Sequence, residues 1–141
     1  YSNPGYNDVE LCLIVPPAVS PSDACETLAY TFNSSFPSLI DPTIPTLAFT
    51  WDRLAAQYMK LAHFNGNIFN LTGWTGKPTG NPSSPVWALD AGFSSTNVEF
   101  GFSDTGSGFG LVGGVWGAGA GVPDPQGKTV EERAEVWFAA I

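Results

Sequence analysis

Apolar and polar residues alternate in short runs over the second half of the chain, which is typical of strands with one buried face. Asn65-Gly66 lies between two such runs, and Asn-Gly readily takes the two positive φ values of a type I′ turn. We therefore expect residues 57–64 and 67–73 to pair as a hairpin. In that register Ala62, Phe64, Phe69 and Leu71 face the core, whereas His63, Ile68, Asn70 and Thr72 face solvent.

A second hairpin is predicted nearer the end of the chain. Val98, Phe100 and Phe102 alternate with small or polar residues, residues 104–108 form a turn, and Phe109, Leu111, Gly113 and Val115 resume the alternation. Residues 86–89 predict a further short strand. Glycines recur from Gly101 to Gly121, which in strands marks tight curvature or close backbone approach. The predicted fold is mainly β: a curved antiparallel sheet or small lipocalin-like barrel with a C-terminal α-helix.

The first third of the chain is rich in proline and lacks the alternating pattern of the second half. Six prolines punctuate residues 16–45, and proline removes a backbone donor and disfavours helix in the residue before it. We expect residues 1–46 to form an irregular wrap pinned by a disulfide, with one short helix near residues 24–30. Residues 47–128 then form the antiparallel sheet of a single domain that spans residues 1–141.

The last residues carry a helix signal. Thr129 and Glu132 form a Thr-x-x-Glu capping box, and acidic residues suit the positive end of a helix dipole. The apolar residues that follow recur at helical spacing. The sequence therefore predicts a helix over residues 129–141 that packs on the sheet through one stripe, formed by Val130, Ala134, Trp137 and Ile141.

Composition narrows the class of partner. The chain has 141 residues, of which 43% are hydrophobic and only 13% charged, enough apolar material for one folded core. Its net charge is −8, and its five basic residues are scattered along the chain. Nucleic acid and anionic membranes need a concentrated positive surface, so both are disfavoured as partners. No apolar run reaches the roughly 18 residues of a spanning helix, so we expect no membrane insertion.

Three features indicate an oxidising, extracellular compartment. Cys12 and Cys25 are the only cysteines and favour a disulfide, the alternative being two reduced buried thiols. Asn33-Ser34-Ser35 and Asn70-Leu71-Thr72 are glycosylation sequons, whose acceptors are Asn33 and Asn70. The chain starts at Tyr1 with no basic and apolar leader, as expected after removal of an upstream segment. We predict a secreted eukaryotic glycoprotein.

One short motif belongs to a known catalytic class. Asp104-Thr105-Gly106-Ser107 matches the core of aspartic proteases, in which two such aspartates share a proton. A single copy requires a homodimer, and Ser103 stands where an apolar residue is expected. The favoured interpretation is a plain hairpin turn.

The remaining candidates for chemistry are incomplete. His63 is the only histidine, and with both thiols oxidised the chain offers no evident zinc or copper site. As a base, His63 needs a nucleophile and an orienting acid, and no serine lies in a nucleophile-elbow motif. The sequence predicts no metal, no cofactor and no complete catalytic set.

Aromatic residues form a large set for this length. Five tryptophans and ten phenylalanines account for most of it, and most should fill the core because aromatic side chains bury large areas. A minority is available to contact a ligand or a partner. The candidates for that role are Trp74, Trp87 and Trp116.

Two stretches carry a family resemblance. Residues 64–72, Phe-Asn-Gly-Asn-Ile-Phe-Asn-Leu-Thr, are followed by Val-Trp-Gly-Ala-Gly at 115–119 and Lys-Thr-Val-Glu-Glu-Arg-Ala-Glu-Val-Trp-Phe at 128–138. The pattern resembles the C-terminal β domain of fungal secreted β-lactamase-like serine hydrolases of the penicillin-binding type. The resemblance covers residues 47–141 and implies a small β domain attached to a catalytic one.

The catalytic residues of that family are not matched in this chain. The family uses a Ser-x-x-Lys helix, but the residues three before each lysine are Gln57, Trp74 and Pro125. Residues 1–6 resemble the family's Tyr-x-Asn segment, and Lys128-Thr129 is followed by Val130 instead of glycine. The resemblance thus implies a non-catalytic accessory domain or small subunit of a larger secreted enzyme. The alternatives are a free-standing β-barrel for a small apolar ligand and, remotely, the homodimeric aspartic protease.

Overall fold

The computed structural model of the protein describes residues 1–51, 56–90, 96–104, 106–114, 121 and 123–141, with the backbone alone for residues 88–90. Within these ranges the chain forms ten strands and two α-helices. The strands are β1 (Ser2–Asn3), β2 (Asn7–Asp8), β3 (Cys12–Val15), β4 (Thr46–Thr50), β5 (Tyr58–Asn65), β6 (Ile68–Asn81), β7 (Ser84–Asp90), β8 (Thr96–Ser103), β9 (Gly106–Val112) and β10 (Val136–Ala139). The helices are α1 (Asp23–Ser35) and α2 (Val130–Arg133), and a 3₁₀ turn covers Pro37–Leu39.

All ten strands belong to one antiparallel sheet. Its order is β2-β1-β10-β9-β8-β6-β5-β4-β3, and β7 pairs with the second half of the long strand β6. The sheet curls into a half-barrel. The predicted fold class is confirmed: the protein is mainly β, with a curved antiparallel sheet and a short helix near the C-terminus.

The inner face of the curled sheet carries the main core. Strands β4 to β6 and β8 to β10 contribute alternate side chains to it, and the N-terminal segment adds Val9. Four large aromatic side chains of this core are at most 1% exposed. The inner core consists of Val9, Phe49, Trp51, Ala56, Met59, Leu61, Leu71, Val98, Phe109, Leu111, Val136 and Phe138.

The outer face carries a second, smaller core beneath α1. The helix packs on β3, β4 and β7, and the Cys12–Cys25 disulfide, with a Cα–Cα distance of 5.1 Å, joins it to β3. The disulfide predicted from the cysteine count is therefore confirmed. The outer core consists of Cys12, Ile14, Cys25, Leu28, Phe32, Phe36, Ala48, Trp74 and Val86.

The first 46 residues are more regular than predicted. They supply three strands of the sheet, and the short helix expected near residues 24–30 extends over the 13 residues of α1. The Ser22 hydroxyl caps the helix by accepting from the Cys25 N–H at 3.1 Å, and Asp23 and Glu26 occupy the first turn. The prolines lie outside α1 itself, so they bound the helix without interrupting it.

The β5–β6 hairpin exists, but its predicted register is wrong. Residues 66 and 67 form the loop, because a bulge near the end of β5 makes Asn65 the partner of Ile68 and His63 the partner of Phe69. Gly66 has a φ of 57°, and Asn7 is the only non-glycine residue with positive φ in the described chain, so the turn is not type I′.

This shift reassigns the faces of β5. Met59 and Leu61 are buried in the inner core, whereas Ala62 lies on the outer face and Phe64 is 66% exposed. On β6 the prediction holds, since Leu71 is in the inner core with Phe69 packed against it. The greater buried apolar area of Met59 and Leu61 outweighs the local preference of Asn-Gly.

The β8–β9 hairpin and the strand at residues 86–89 are present as predicted. Ser103 pairs with Gly106, so the turn is shorter than the predicted 104–108. Val98, Phe109 and Leu111 are fully buried. Phe102 continues the same face but lies beyond the core and is 78% exposed.

The C-terminal helix begins as predicted and ends early. Thr129 and Glu132 form the capping box, but α2 stops at Arg133 and the chain continues as β10, which pairs with β9. The predicted helix over 129–141 and its stripe are therefore wrong beyond Ala134. Val136 and Phe138 alternate into the inner core, and burying them on a strand requires the helix to end.

Candidate functional site

The exposed end of the β8–β9 hairpin forms an aromatic cleft. Tyr1, Asn67, Phe100, Phe102 and Ser107 are among its lining residues, and its volume is about 280 Å³. Phe100 and Phe102 lie on the inner face of β8, two residues apart, so the cleft continues that face past the end of the core. We use the name aromatic cleft for this site.

The aromatic cleft is directly connected to the inner core by ring contacts. The Tyr1 ring meets the Phe109 ring edge-on with centroids 5.0 Å apart, and the Phe100 ring lies 5.5 Å from Phe109. Phe69 supports Phe100 from the other side at 5.3 Å. These separations fall in the range of favourable aromatic pairs, so the wall of the cleft is packed against the inner core.

Hydrogen bonds join β8 to the β5–β6 loop at the aromatic cleft. The Phe100 N–H donates to the Asn67 carbonyl at 2.9 Å, and the Asn67 side-chain amide donates to the Phe100 carbonyl. Gly108, which also lines the cleft, allows the close approach of β10 to β9, because a Cβ there would stand 2.3 Å from the Phe138 carbonyl oxygen. The lining thus combines apolar rings with an amide and a hydroxyl, which suits docking of an apolar group with a polar edge.

The three tryptophans predicted as ligand or partner contacts do not meet at one site. Trp74 is 6% exposed and belongs to the outer core, stacked on Phe36. Trp87 is 60% exposed on the face of β7 opposite the buried Val86, and its cross-strand partner is Lys77. Trp116 lies outside the described residues.

The two sequon asparagines lie on different elements. Asn33 is exposed near the end of α1, and Asn70 is exposed on β6, paired with Ala62 and Asn97. Both are reachable from solvent, and glycosylation at each stays a prediction.

The other residues considered for chemistry stand apart from one another. His63 Nε2 is 3.1 Å from the Gly66 carbonyl oxygen, and the imidazole meets the Phe69 ring edge-on. Asp104 is exposed in the β8–β9 turn, and Thr105 lies outside the described residues. In the described part of the chain no three histidine, cysteine or acidic side chains are grouped to bind a metal ion.

The sequence analysis did not identify the aromatic cleft. The sequence did contain a signal for the cleft. The alternation of Val98, Phe100 and Phe102 extends the apolar face of β8 to Phe102, which lies beyond the core. What no local pattern could supply is the approach of Tyr1, about a hundred residues away, which lies against Phe100 and Phe109.

Comparison with protein-family models, with curated proteins and with solved structures finds no match for this chain. The resemblance to the C-terminal domain of β-lactamase-like hydrolases therefore stays a prediction. Neither helix in the described chain is long and apolar enough to cross a membrane.

Proposed function

We propose that this chain is a non-catalytic accessory module that docks on a larger secreted enzyme through the aromatic cleft. The observation that carries the proposal is Phe102, a large apolar side chain that is 78% exposed at the edge of a cleft walled by aromatic rings. Aromatic anchors of this kind are enriched at protein interfaces and supply a large share of their binding energy.

The packing of the inner face supports a role for the surface over a role for the interior. Phe49, Trp51, Phe109 and Phe138 are at most 1% exposed and occupy the space that an apolar ligand would need in a lipocalin-like carrier. A ligand there would have to displace well-packed aromatic side chains. The surface is therefore the better candidate for function.

The sequence resemblance supports the class of partner. Residues 64–72 and 128–138 resemble the pattern of a β domain that accompanies a serine hydrolase, and secretion agrees with the disulfide and the sequons. The partner is proposed to be a catalytic domain of the penicillin-binding type, either on the same polypeptide or on a separate one.

The proposal is tested on the natural protein purified without denaturation. We expect the species that contains this chain to have a native mass well above that of the 141-residue chain, and to be acylated by a fluorescent penicillin outside these residues. Intact mass after denaturation then separates a covalent domain from a bound subunit. A native species of this chain alone, with no acylated companion, contradicts the proposal.

Substitution locates the docking surface. If the companion is a separate chain, Phe102→Ser should weaken its binding at least about tenfold, which is the effect of roughly 1.4 kcal/mol. Val19→Ser is the matched control, since Val19 is 100% exposed, lies between β3 and α1 and is not among the residues that line the cleft. Equal binding by both variants contradicts docking through the aromatic cleft.

A further inference from the structure

A groove on the outer face lies between the start of α1 and strands β4 and β5. Its lining includes Asp23, Thr27, Leu28, Thr31, Thr50 and Tyr58, and its volume is about 400 Å³. That volume is within the usual range for small-molecule sites. We call it the hydroxyl groove, since four of the seven side chains that line it carry a hydroxyl.

Tyr58 is held in place from three sides. Its ring meets the rings of Phe32 and Phe36 with centroids 6.4 and 6.1 Å apart, and a Cβ on Gly76 would stand 2.3 Å from the Tyr58 ring. Burial raises the pKa of the Tyr58 phenol, so the group stays protonated at neutral pH.

The sheet side of the groove offers hydrogen-bond donors. Thr50 is the cross-strand partner of Tyr58, so both side chains point to the outer face. Neither hydroxyl has a hydrogen-bond partner among the described residues. Each is able to donate to a ligand oxygen.

The helix side offers acceptors. The Thr27 hydroxyl donates to the Asp23 carbonyl at 2.9 Å, and the Thr31 hydroxyl donates to the Thr27 carbonyl at 3.0 Å. With their protons engaged in the helix, these two hydroxyls present lone pairs to the groove, and the Asp23 carboxylate accepts only. A matching ligand must therefore both donate and accept hydrogen bonds.

Charge narrows the ligand further. Asp23 is the one charged side chain of the described lining, and it stands in the first turn of α1, where the positive end of the helix dipole offsets part of its charge. Because the carboxylate and the dipole act in opposite directions, the described lining favours neither an anion nor a cation, and it suits a ligand without net charge. A hydrocarbon leaves the hydroxyls of Thr50 and Tyr58 unpaired when it displaces water from them.

We propose that the hydroxyl groove binds a neutral polyol of monosaccharide size. Tyr58 and Thr50 donate to ring or hydroxyl oxygens of the ligand, while Thr27, Thr31 and Asp23 accept from its hydroxyl groups. The groove lies on the face opposite the aromatic cleft, so this site does not depend on the proposed accessory role.

The test is an NMR titration of the ¹⁵N-labelled chain with methyl β-glucopyranoside, methyl α-mannopyranoside and N-acetylglucosamine, with cyclohexanol as the apolar ring control. We expect saturable shifts of amides in residues 23–31, 50 and 58 with at least one of the saccharides. No saturable shift with any saccharide, or equal affinity for cyclohexanol, overturns the proposal.

Two variants test the hydrogen-bond assignment. Tyr58→Phe keeps the packed ring and removes the donor, so the saccharide affinity should fall about tenfold. Tyr30→Phe is the matched control, because the Tyr30 hydroxyl donates to the Pro82 carbonyl at 2.7 Å, outside the groove. Thr27→Ala should also weaken saccharide binding, and this variant replaces Tyr58→Phe in the test if Tyr58→Phe does not fold. Equal affinities for the groove variants and the control overturn the proposal.

Discussion

The two faces of the sheet bury aromatic side chains in different ways. On the inner face, side chains from strands on opposite sides of the curl converge: the rings of Trp51, directly after β4, and Phe138 on β10 meet with centroids 5.7 Å apart. On the outer face side chains diverge, and α1 lies across β3, β4 and β7, with Phe32 and the C-cap residue Phe36 in the outer core. The inner core is therefore closed, whereas the outer layer leaves the hydroxyl groove beside its helix.

The difference between the two faces determines where a ligand or a partner protein has room to bind. A concave surface that is filled with its own side chains is rigid and has little room for a ligand. A convex surface covered by separate helices keeps open margins, where polar side chains remain in contact with solvent. Binding is thus expected at two places. One is the hydroxyl groove beside α1, and the other is the aromatic cleft, where Phe102 extends the inner face of the sheet beyond the core.

The largest expected effect distinguishes the two cores. Phe109→Ala and Phe32→Ala each remove a fully buried ring, from the inner and the outer core respectively. We expect losses in the free energy of unfolding of about 4–5 kcal/mol for Phe109→Ala and about 3 kcal/mol for Phe32→Ala, because a helix can move toward the sheet and close part of the cavity. Urea unfolding at pH 7 measures both, and a larger loss for Phe32→Ala would refute the contrast.

A smaller effect is expected from the link between α1 and β3. Replacing both Cys12 and Cys25 by alanine should lower the free energy of unfolding by about 3 kcal/mol, since the bridge closes a loop with a sequence separation of 13. Reduction of the unsubstituted protein is the control and should give a similar loss in thermal or urea unfolding. A loss confined to the alanine variant would point to packing, not to the cross-link.

The smallest effect concerns the second helix of the outer face. Thr129→Ala should cost about 1 kcal/mol, because the Thr129 hydroxyl accepts from the Glu132 N–H and caps α2. Gln126→Ala is a nearby exposed control with no expected loss. Urea unfolding of both variants at pH 7 makes the comparison, and equal stabilities would contradict a role for the cap.

The pH dependence of α2 follows from the same capping box. Hydrogen bonds from the backbone N–H groups of Thr129 and then Lys128 hold the pKa of Glu132 below its ordinary value. Its contribution to stability is therefore present above that ordinary value and is lost as pH falls through the folded-state pKa. The sensitivity of unfolding to pH in this acidic range should decrease in Glu132→Gln.

Local sequence patterns were sufficient to predict several structural elements. The alternation at Val98, Phe100 and Phe109 predicted the β8–β9 hairpin, and Thr129 with Glu132 predicted the start of α2. These features depend on residues close in sequence. The Cys12–Cys25 bridge was also accessible, because only one pairing of two cysteines exists.

The sequence by itself therefore determined the mainly β character, the sheet-forming segments and the disulfide, since each follows from short-range periodicity or from counting. The tertiary structure alone decided the register of β5, the switch from α2 to β10, and the approach of Tyr1 to Phe100. Val136 and Phe138 fit a helix or a strand equally well as a short segment, and Asn65-Gly66 fits more than one turn. Only the apolar area buried against distant strands selects between such alternatives, and that area is a property of the whole fold.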